Sequence, residues 1–177
     1  MAQRRRRTGT WVLKDDRLFT LDVFIISGPM ARRFLKKNRV VSRTIQMRGD
    51  QTLEDLHYAV FDAFKRFDQH MYEFQIGGKG PMDPKARRYV LSGVLDETFT
   101  DSRPAGDVAL TTIGSLGLKV DDAFGYWFDF GDDWWHQINV AAIADEAPRG
   151  KYPKVAKRVG ASPPQYVDWD REDEDEE

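Results

Sequence analysis

The sequence predicts a single α+β domain in which a curved, mostly antiparallel sheet packs around one main helix, with a short second helix. Three observations carry that expectation. Leu53, Leu56, Val60, Phe61 and Phe64 recur as one apolar stripe at helical spacing. Residues 18–26 and 71–76 show the two-residue period and the β-branched and aromatic enrichment of strands. Residues 124–140 read as two alternating arms on either side of Gly131-Asp132-Asp133, a bend rich in residues that tolerate left-handed backbone.

Taken in chain order, the elements are punctuated by turn chemistry. The strand at 18–26 stops at Ser27-Gly28-Pro29, and 30–37 reads equally as a short helix or a loop before a strand at 40–47. Arg48-Gly49-Asp50-Gln51 then turns the chain into the main helix, expected over 52–67. Thr52 and Asp55 resemble a capping box at its start. A strand over 71–76 ends at Gly77-Gly78-Lys79-Gly80-Pro81, weaker strands are expected at 88–94 and 107–110, and 111–116 makes a helical turn closed by Gly117. In the hairpin, Phe124, Tyr126, Phe128 and Phe130 share one parity, as do Trp134, His136, Ile138 and Val140.

At 177 residues the chain can bury a sizeable core as one domain, expected at 11–167. Like-charged runs at 1–10 and 168–177 cannot bury enough apolar surface to offset the entropy of ordering, so both are expected to be disordered. No stretch approaches the roughly 20 apolar residues of a membrane span, and a cytoplasmic location without membrane contact is expected. Zero cysteines exclude disulfides, thiolate metal sites and cysteine nucleophiles.

Charge is segregated. The run at 168–177 holds eight acids and one arginine, and without it the net charge of −2 becomes +5. Residues 23–49 carry seven basic residues and no acid, whereas 121–148 carry seven acids and no lysine or arginine. The basic segment supplies candidate phosphate contacts in Arg32, Arg33, Lys36, Lys37 and Arg39, with Arg4 to Arg7 as an added electrostatic arm.

The acidic hairpin supplies a candidate metal set. Asp129, Asp132, Asp133 and His136 offer hard oxygens and one imidazole within eight residues, and His57 and His70 would join them if the fold brings the three histidines together. The plainer reading has the aspartates accepting backbone N–H groups in the turn, with His136 against an aromatic cluster. Asp129-Phe130-Gly131 matches the kinase magnesium motif by letters only, because the glycine-rich loop, the lysine strand and the catalytic loop are missing. Gly77-Gly78-Lys79-Gly80 lacks phosphate-loop spacing. No serine has the context of a nucleophile elbow.

The stretch LGLKVDDAFGYWFDFGDDWWHQINV at 116–140, with Thr52-Leu53-Glu54-Asp55-Leu56-His57, His70-Met71-Tyr72-Glu73-Phe74, Tyr152-Pro153 and Pro163-Pro164, closely resembles the signature of the plasmid pRiA4b Orf-three-like family. The resemblance covers about 17–167. It implies a compact α+β domain with a curved, mostly antiparallel sheet, found on plasmids and mobile elements, in some members under a resolvase-like label. His57, His70, Asp129, Asp132 and His136 match the pattern. Val41-Ser42-Arg43, Arg66-Phe67, Asp121 and Pro163-Pro164-Gln165-Tyr166 depart from it, the last replacing a pair of carboxylates.

Two functions follow from different classes. One is a non-enzymatic binding module for nucleic acid or a protein partner, connected with plasmid or mobile-element DNA. The other is a metal-dependent hydrolase whose divalent cation is held at the 129–136 hairpin and activates water.

Overall fold

The computed structural model describes residues 3–5, 11–94 and 103–169. Strands β1 (Gln3–Arg5) and β2 (Trp11–Leu13) form a two-stranded antiparallel ribbon. The remaining strands are β3 (Leu18–Ser27), β4 (Ser42–Arg48), β5 (Tyr72–Ile76), β6 (Arg87–Val90), β7 (Gly106–Asp107), β8 (Ala123–Phe128), β9 (Trp134–Ala144) and β10 (Lys154–Val159). They build one open mixed sheet in the order β10-β4-β3-β9-β8-β5-β6-β7, antiparallel throughout except for the parallel pair β6–β7. Among the described residues two α-helices, α1 (Arg32–Lys37) and the longer α2 (Leu53–Ala63), complete an α+β fold. Of the two terminal runs expected to be disordered, Gln3–Arg5 pairs as β1, and the rest of 1–10 together with 170–177 lies outside the described residues.

The alternation read from the sequence decides which face of the sheet is dry. Leu21 and Val23 of β3, Ile45 and Met47 of β4, Phe74 of β5, Phe124, Tyr126 and Phe128 of β8, and Trp134 and Ile138 of β9 are all buried. Helix α2 covers this face with Leu53, Leu56, His57, Val60 and Phe61, and its rings meet those of the strands. Burying each such side chain contributes about 1.5–3 kcal/mol, so the aromatic wall of β8 and β9 is the largest apolar element of the core.

Helix α2 begins where its capping box does. Thr52 Oγ1 accepts the Asp55 N–H at 3.2 Å, and Asp55 Oδ2 accepts the Thr52 N–H at 2.8 Å. The helix ends at Ala63 rather than at 67, because Lys65 turns left-handed (φ +56°) and the Arg66 N–H folds back to the Phe61 carbonyl. Replacing Thr52 by Ala removes one half of the box and is expected to cost about 1 kcal/mol, read as a lower urea midpoint with an unchanged slope.

Three differences from the sequence reading have local causes. Strand β8 stops at Phe128 because Asp129 is left-handed (φ +58°), so Phe130 does not continue the buried parity and packs instead against Trp127, ring centroids 4.1 Å apart. Arg43, one of the seven basic residues of 23–49, is 2% exposed. Its guanidinium donates to the carbonyls of Ala63, Ser42, Val159 and Gly160 and to Ser162 Oγ, tying the end of α2 to the end of β10. Strand β10, not foreseen, pairs antiparallel with β4 as a sheet edge; its side chains are mostly exposed, so no apolar alternation marked it.

Candidate functional site

The loop at 129–133 is closed by its own aspartates. Asp129 Oδ1 accepts the N–H groups of Gly131 (3.1 Å) and Asp132 (3.3 Å), and the Asp133 N–H donates to the Asp129 carbonyl at 2.7 Å. The Asp129 N–H reaches the Met71 carbonyl, docking the hairpin tip on the connection between α2 and β5. Asp133 Oδ1 accepts the Trp127 indole N–H at 2.9 Å. These are the bonds of a turn in which carboxylates satisfy donors.

His57 and His136 converge on Tyr126 from two sides. His57 Nδ1 lies 2.7 Å from the Tyr126 hydroxyl, its Nε2 lies 3.2 Å from Gln69 Oε1, and its ring stacks on Tyr72 at 3.7 Å. His136 Nδ1 lies 3.2 Å from the Tyr126 carbonyl oxygen. Both rings are 1% exposed. Burial lowers the pKa of His57 to about 4, against a smaller upward pull from Gln69. Burial, with the positive charge of Arg66, lowers that of His136 to about 3. Both are therefore neutral core groups at pH 7.

His70 sits elsewhere, on the surface beside the hairpin tip. Its Nε2 is 2.8 Å from the Tyr166 hydroxyl, 3.5 Å from Asp129 Oδ2 and 3.6 Å from Asp68 Oδ2. Tyr166 donates its one proton to Asp68 Oδ2 at 2.6 Å, so toward His70 it acts as acceptor and His70 Nε2 carries hydrogen. The bond to Asp68 pushes the Tyr166 pKa up to about 12. Gln165 clamps this segment in place: its Oε1 accepts the Phe67 and Asp68 N–H groups and its Nε2 donates to the Asp68 carbonyl. Gln165 and Tyr166, where the family pattern has carboxylates, thus carry the contact between the C-terminal segment and the hairpin side of the domain.

Of the six residues expected to bind a metal, the fold brings His70 and Asp129 together and turns His57 and His136 into the core around Tyr126. Among the described residues no three His, Asp or Glu side chains are grouped so as to hold a metal ion. Behind Asp129 lies Arg66, 7% exposed, with its guanidinium 3.7 Å over the ring of Trp134. Nη1 and Nη2 of Arg66 and Nε1 of Trp134 find no hydrogen-bond partner among the described residues. Burial lowers the Arg66 pKa to about 10, with Tyr126, Asp129 and Asp132 pulling the other way. Sequence periodicity could not announce this stack, because Arg66 lies beyond the end of α2.

The cations of 32–39 occupy a different part of the surface. Arg32, Arg33, Lys36 and Lys37 make up four of the six residues of α1, which has no buried residue. Asn38 Oδ1 accepts the Ala161 N–H at 2.8 Å, and at Gly160 (φ +72°) a Cβ would stand 2.4 Å from the Val40 carbonyl oxygen. The end of α1 therefore rests against the end of β10, whose Lys154, Lys157 and Arg158 are exposed. Residues 147–167 contain five basic residues and no acid, so two acid-free segments far apart in sequence meet along one sheet edge. Arg39 lines a groove of about 350 Å³ with Phe24, Gln137 and Asn139. Arg33 and Lys37 line a second pocket, of about 420 Å³, with Phe34, Pro164, Tyr166 and Asp168.

The family model described as plasmid pRiA4b ORF-3-like protein matches residues 34–169, most of the chain, starting just after Arg32 and Arg33. The chain belongs to the plasmid pRiA4b ORF-3-like family. A solved structure described as a protein of unknown function from Methanosarcina mazei Go1 is similar to this family member with a TM-score of 0.64. It shares 18% identity over 86% of this chain and 74% of that one, a likeness of fold. No curated protein matches the chain. Among the described residues no helix is long and apolar enough to cross a membrane.

Proposed function

We propose that this pRiA4b ORF-3-like protein is a binding module for nucleic acid, acting on plasmid or mobile-element DNA through the basic edge formed by α1 and β10. The observation that carries the reading is the meeting of two acid-free segments, 23–49 and 147–167, at the contact between Asn38 and Ala161. On either side of that contact Arg32, Arg33, Lys36, Lys37 and Arg39, and Lys157 and Arg158, are exposed. A polyanion that neutralises such a surface releases counterions, which gives affinity without sequence-specific contacts. The metal-dependent hydrolase has less support. Asp129 is engaged by turn N–H groups and Asp133 by the Trp127 indole, and His57 and His136 are neutral groups of the core.

The test is fluorescence anisotropy with labelled single-stranded and duplex DNA between 50 and 200 mM NaCl. The unmodified protein is expected to bind, with log affinity falling linearly against log salt. The combined Arg32→Ala, Arg33→Ala, Lys36→Ala and Lys37→Ala variant is expected to lose at least about tenfold in affinity, with a slope shallower by roughly three. The four substituted residues are exposed, and Phe34, which anchors α1 on the core, is left in place, so the variant is expected to keep its melting temperature within a few degrees. No binding of either DNA by the unmodified protein at 50 mM NaCl ends the proposal.

A further inference from the structure

Strand alternation places Trp127 and Trp135 on the sheet face opposite α2, where the register pairs them directly. Their rings stack at 4.8 Å with 5° between planes, and Phe130, 37% exposed, packs tilted by 32° against Trp127 from the hairpin tip. The bond from Trp127 Nε1 to Asp133 locks the ring in that pose. Packing of the core does not need these three aromatics: the dry face already holds Phe124, Tyr126, Phe128 and Trp134.

The rest of this face is half-exposed and mixed, with amides and hydroxyls on the strands and the aliphatic side chains of Ile25, Ile26, Val40 and Val41 beside Arg39 in the groove. Phe24 of β3 stands opposite Gln137 of β9, Asp22 opposite Asn139, and Thr20 opposite Gln46 of β4. Beyond β4, Lys157 pairs with Thr44 and Lys154 with Gln46 along the open edge, and Arg39 joins Phe24 and Asn139 in the groove of about 350 Å³. Two carboxylates lie among them, Asp22, which accepts the Thr44 hydroxyl at 2.6 Å, and Asp133, held by Trp127. Toward β5 the face is covered, since a Cβ on Gly125 would touch Pro81. The open area therefore runs from the basic edge across amides to an aromatic platform, three to four strand spacings of about 4.8 Å away.

Resting on the nucleic-acid reading above, we propose that this face is a stacking platform for unpaired bases, so that the ligand of the basic edge is single-stranded. Cations line one margin and π-faces the other, which is the arrangement that takes a backbone along the rim and its bases across the sheet. Asp22 favours this orientation, because it repels phosphate from the middle of the face. Gln137, Asn139 and Gln46 offer donors and acceptors to base edges.

The experiment compares oligo-dT of twelve nucleotides, a duplex of equal length and inorganic polyphosphate as ligands. The unmodified protein is expected to bind oligo-dT at least tenfold more tightly than the duplex, with quenching of tryptophan fluorescence. The Trp127→Ala, Trp135→Ala double variant is expected to lose ten- to a hundredfold in affinity for oligo-dT, while its affinity for polyphosphate and its salt slope stay unchanged. Trp127→Phe with Trp135→Phe restores most of the binding, and Phe130→Ala, a single change at an exposed ring, repeats the loss on a smaller scale if the double alanine variant does not fold. Equal binding of strand and duplex, unaffected by the aromatic substitutions, overturns this inference and leaves the basic-edge reading standing. No binding of any nucleic acid ends both. A loss of self-association in the alanine variant without an effect on oligo-dT gives the face to a second copy of the chain and overturns it as well.

Discussion

Acidification from pH 7 to pH 5 is expected to remove roughly 4 kcal/mol of folding stability, through His57 and His136 alone. Both imidazoles have an ordinary pKa of 6.5, lowered in the fold to about 4 and about 3. Below 6.5 the unfolded chain takes up two protons that the folded chain refuses, so protonation favours unfolding. Above 6.5 neither state is charged at these positions and the stability is fully present; it drains away as pH falls from 6.5 toward 4 and 3. For a domain whose whole stability is about 5–15 kcal/mol, this brings acid unfolding within reach of pH 4. Urea titrations at pH 7, 6 and 5 measure it. The free energy should fall by roughly 2–3 kcal/mol per pH unit at the steepest point, and His57→Gln should about halve the slope. A stability that stays flat from pH 7 to pH 5 would mean that these rings are not the neutral, buried partners of Tyr126 described above.

Trp134→Ala is expected to cost about 3–5 kcal/mol, whereas Trp135→Ala next to it should cost about 1 kcal/mol. Trp134 is 0% exposed, and its ring fills the space that a side chain at Gly28 would need: a Cβ there would stand 2.3 Å from the indole. It also carries the guanidinium of Arg66, so truncation leaves both a cavity and a buried cation without its π-face. Trp135 is half-buried on the opposite face and rests on Trp127. The urea midpoints of the two variants therefore separate scaffold from platform. Comparable losses at both positions would show that the outer rings are core after all, which would remove the case for leaving them open to a ligand.

The two neighbouring tryptophans also show where sequence reading succeeds and where it stops. Period-two alternation assigned Trp134 and Trp135 to opposite faces correctly, because successive side chains of a strand point opposite ways whatever surrounds them. The same rule failed two residues past Phe128, where left-handed Asp129 ended the strand and sent Phe130 to the outer face. In the candidate sites, the basic set at 32–39 was legible as charge without acid. Its continuation on β10 was not, since Lys154, Lys157 and Arg158 lie more than a hundred residues away on an edge strand with no apolar period.

What the sequence determined alone is local. It set the helix cap at Thr52 and Asp55, the hairpin around 129–133, the inward and outward faces of β8 and β9, and the family signature, all of which depend on neighbours within a few residues. Only the tertiary structure decided which distant groups meet. It put His57 and His136 on Tyr126 but His70 on Tyr166 and Asp129, buried Arg43 and Arg66, and joined α1 to β10. The physical reason is that such encounters follow from how strands order themselves in the sheet and how the helix lies across it. Burial then acts on the charge of each group that is brought inside, and no spacing within a short window contains that outcome.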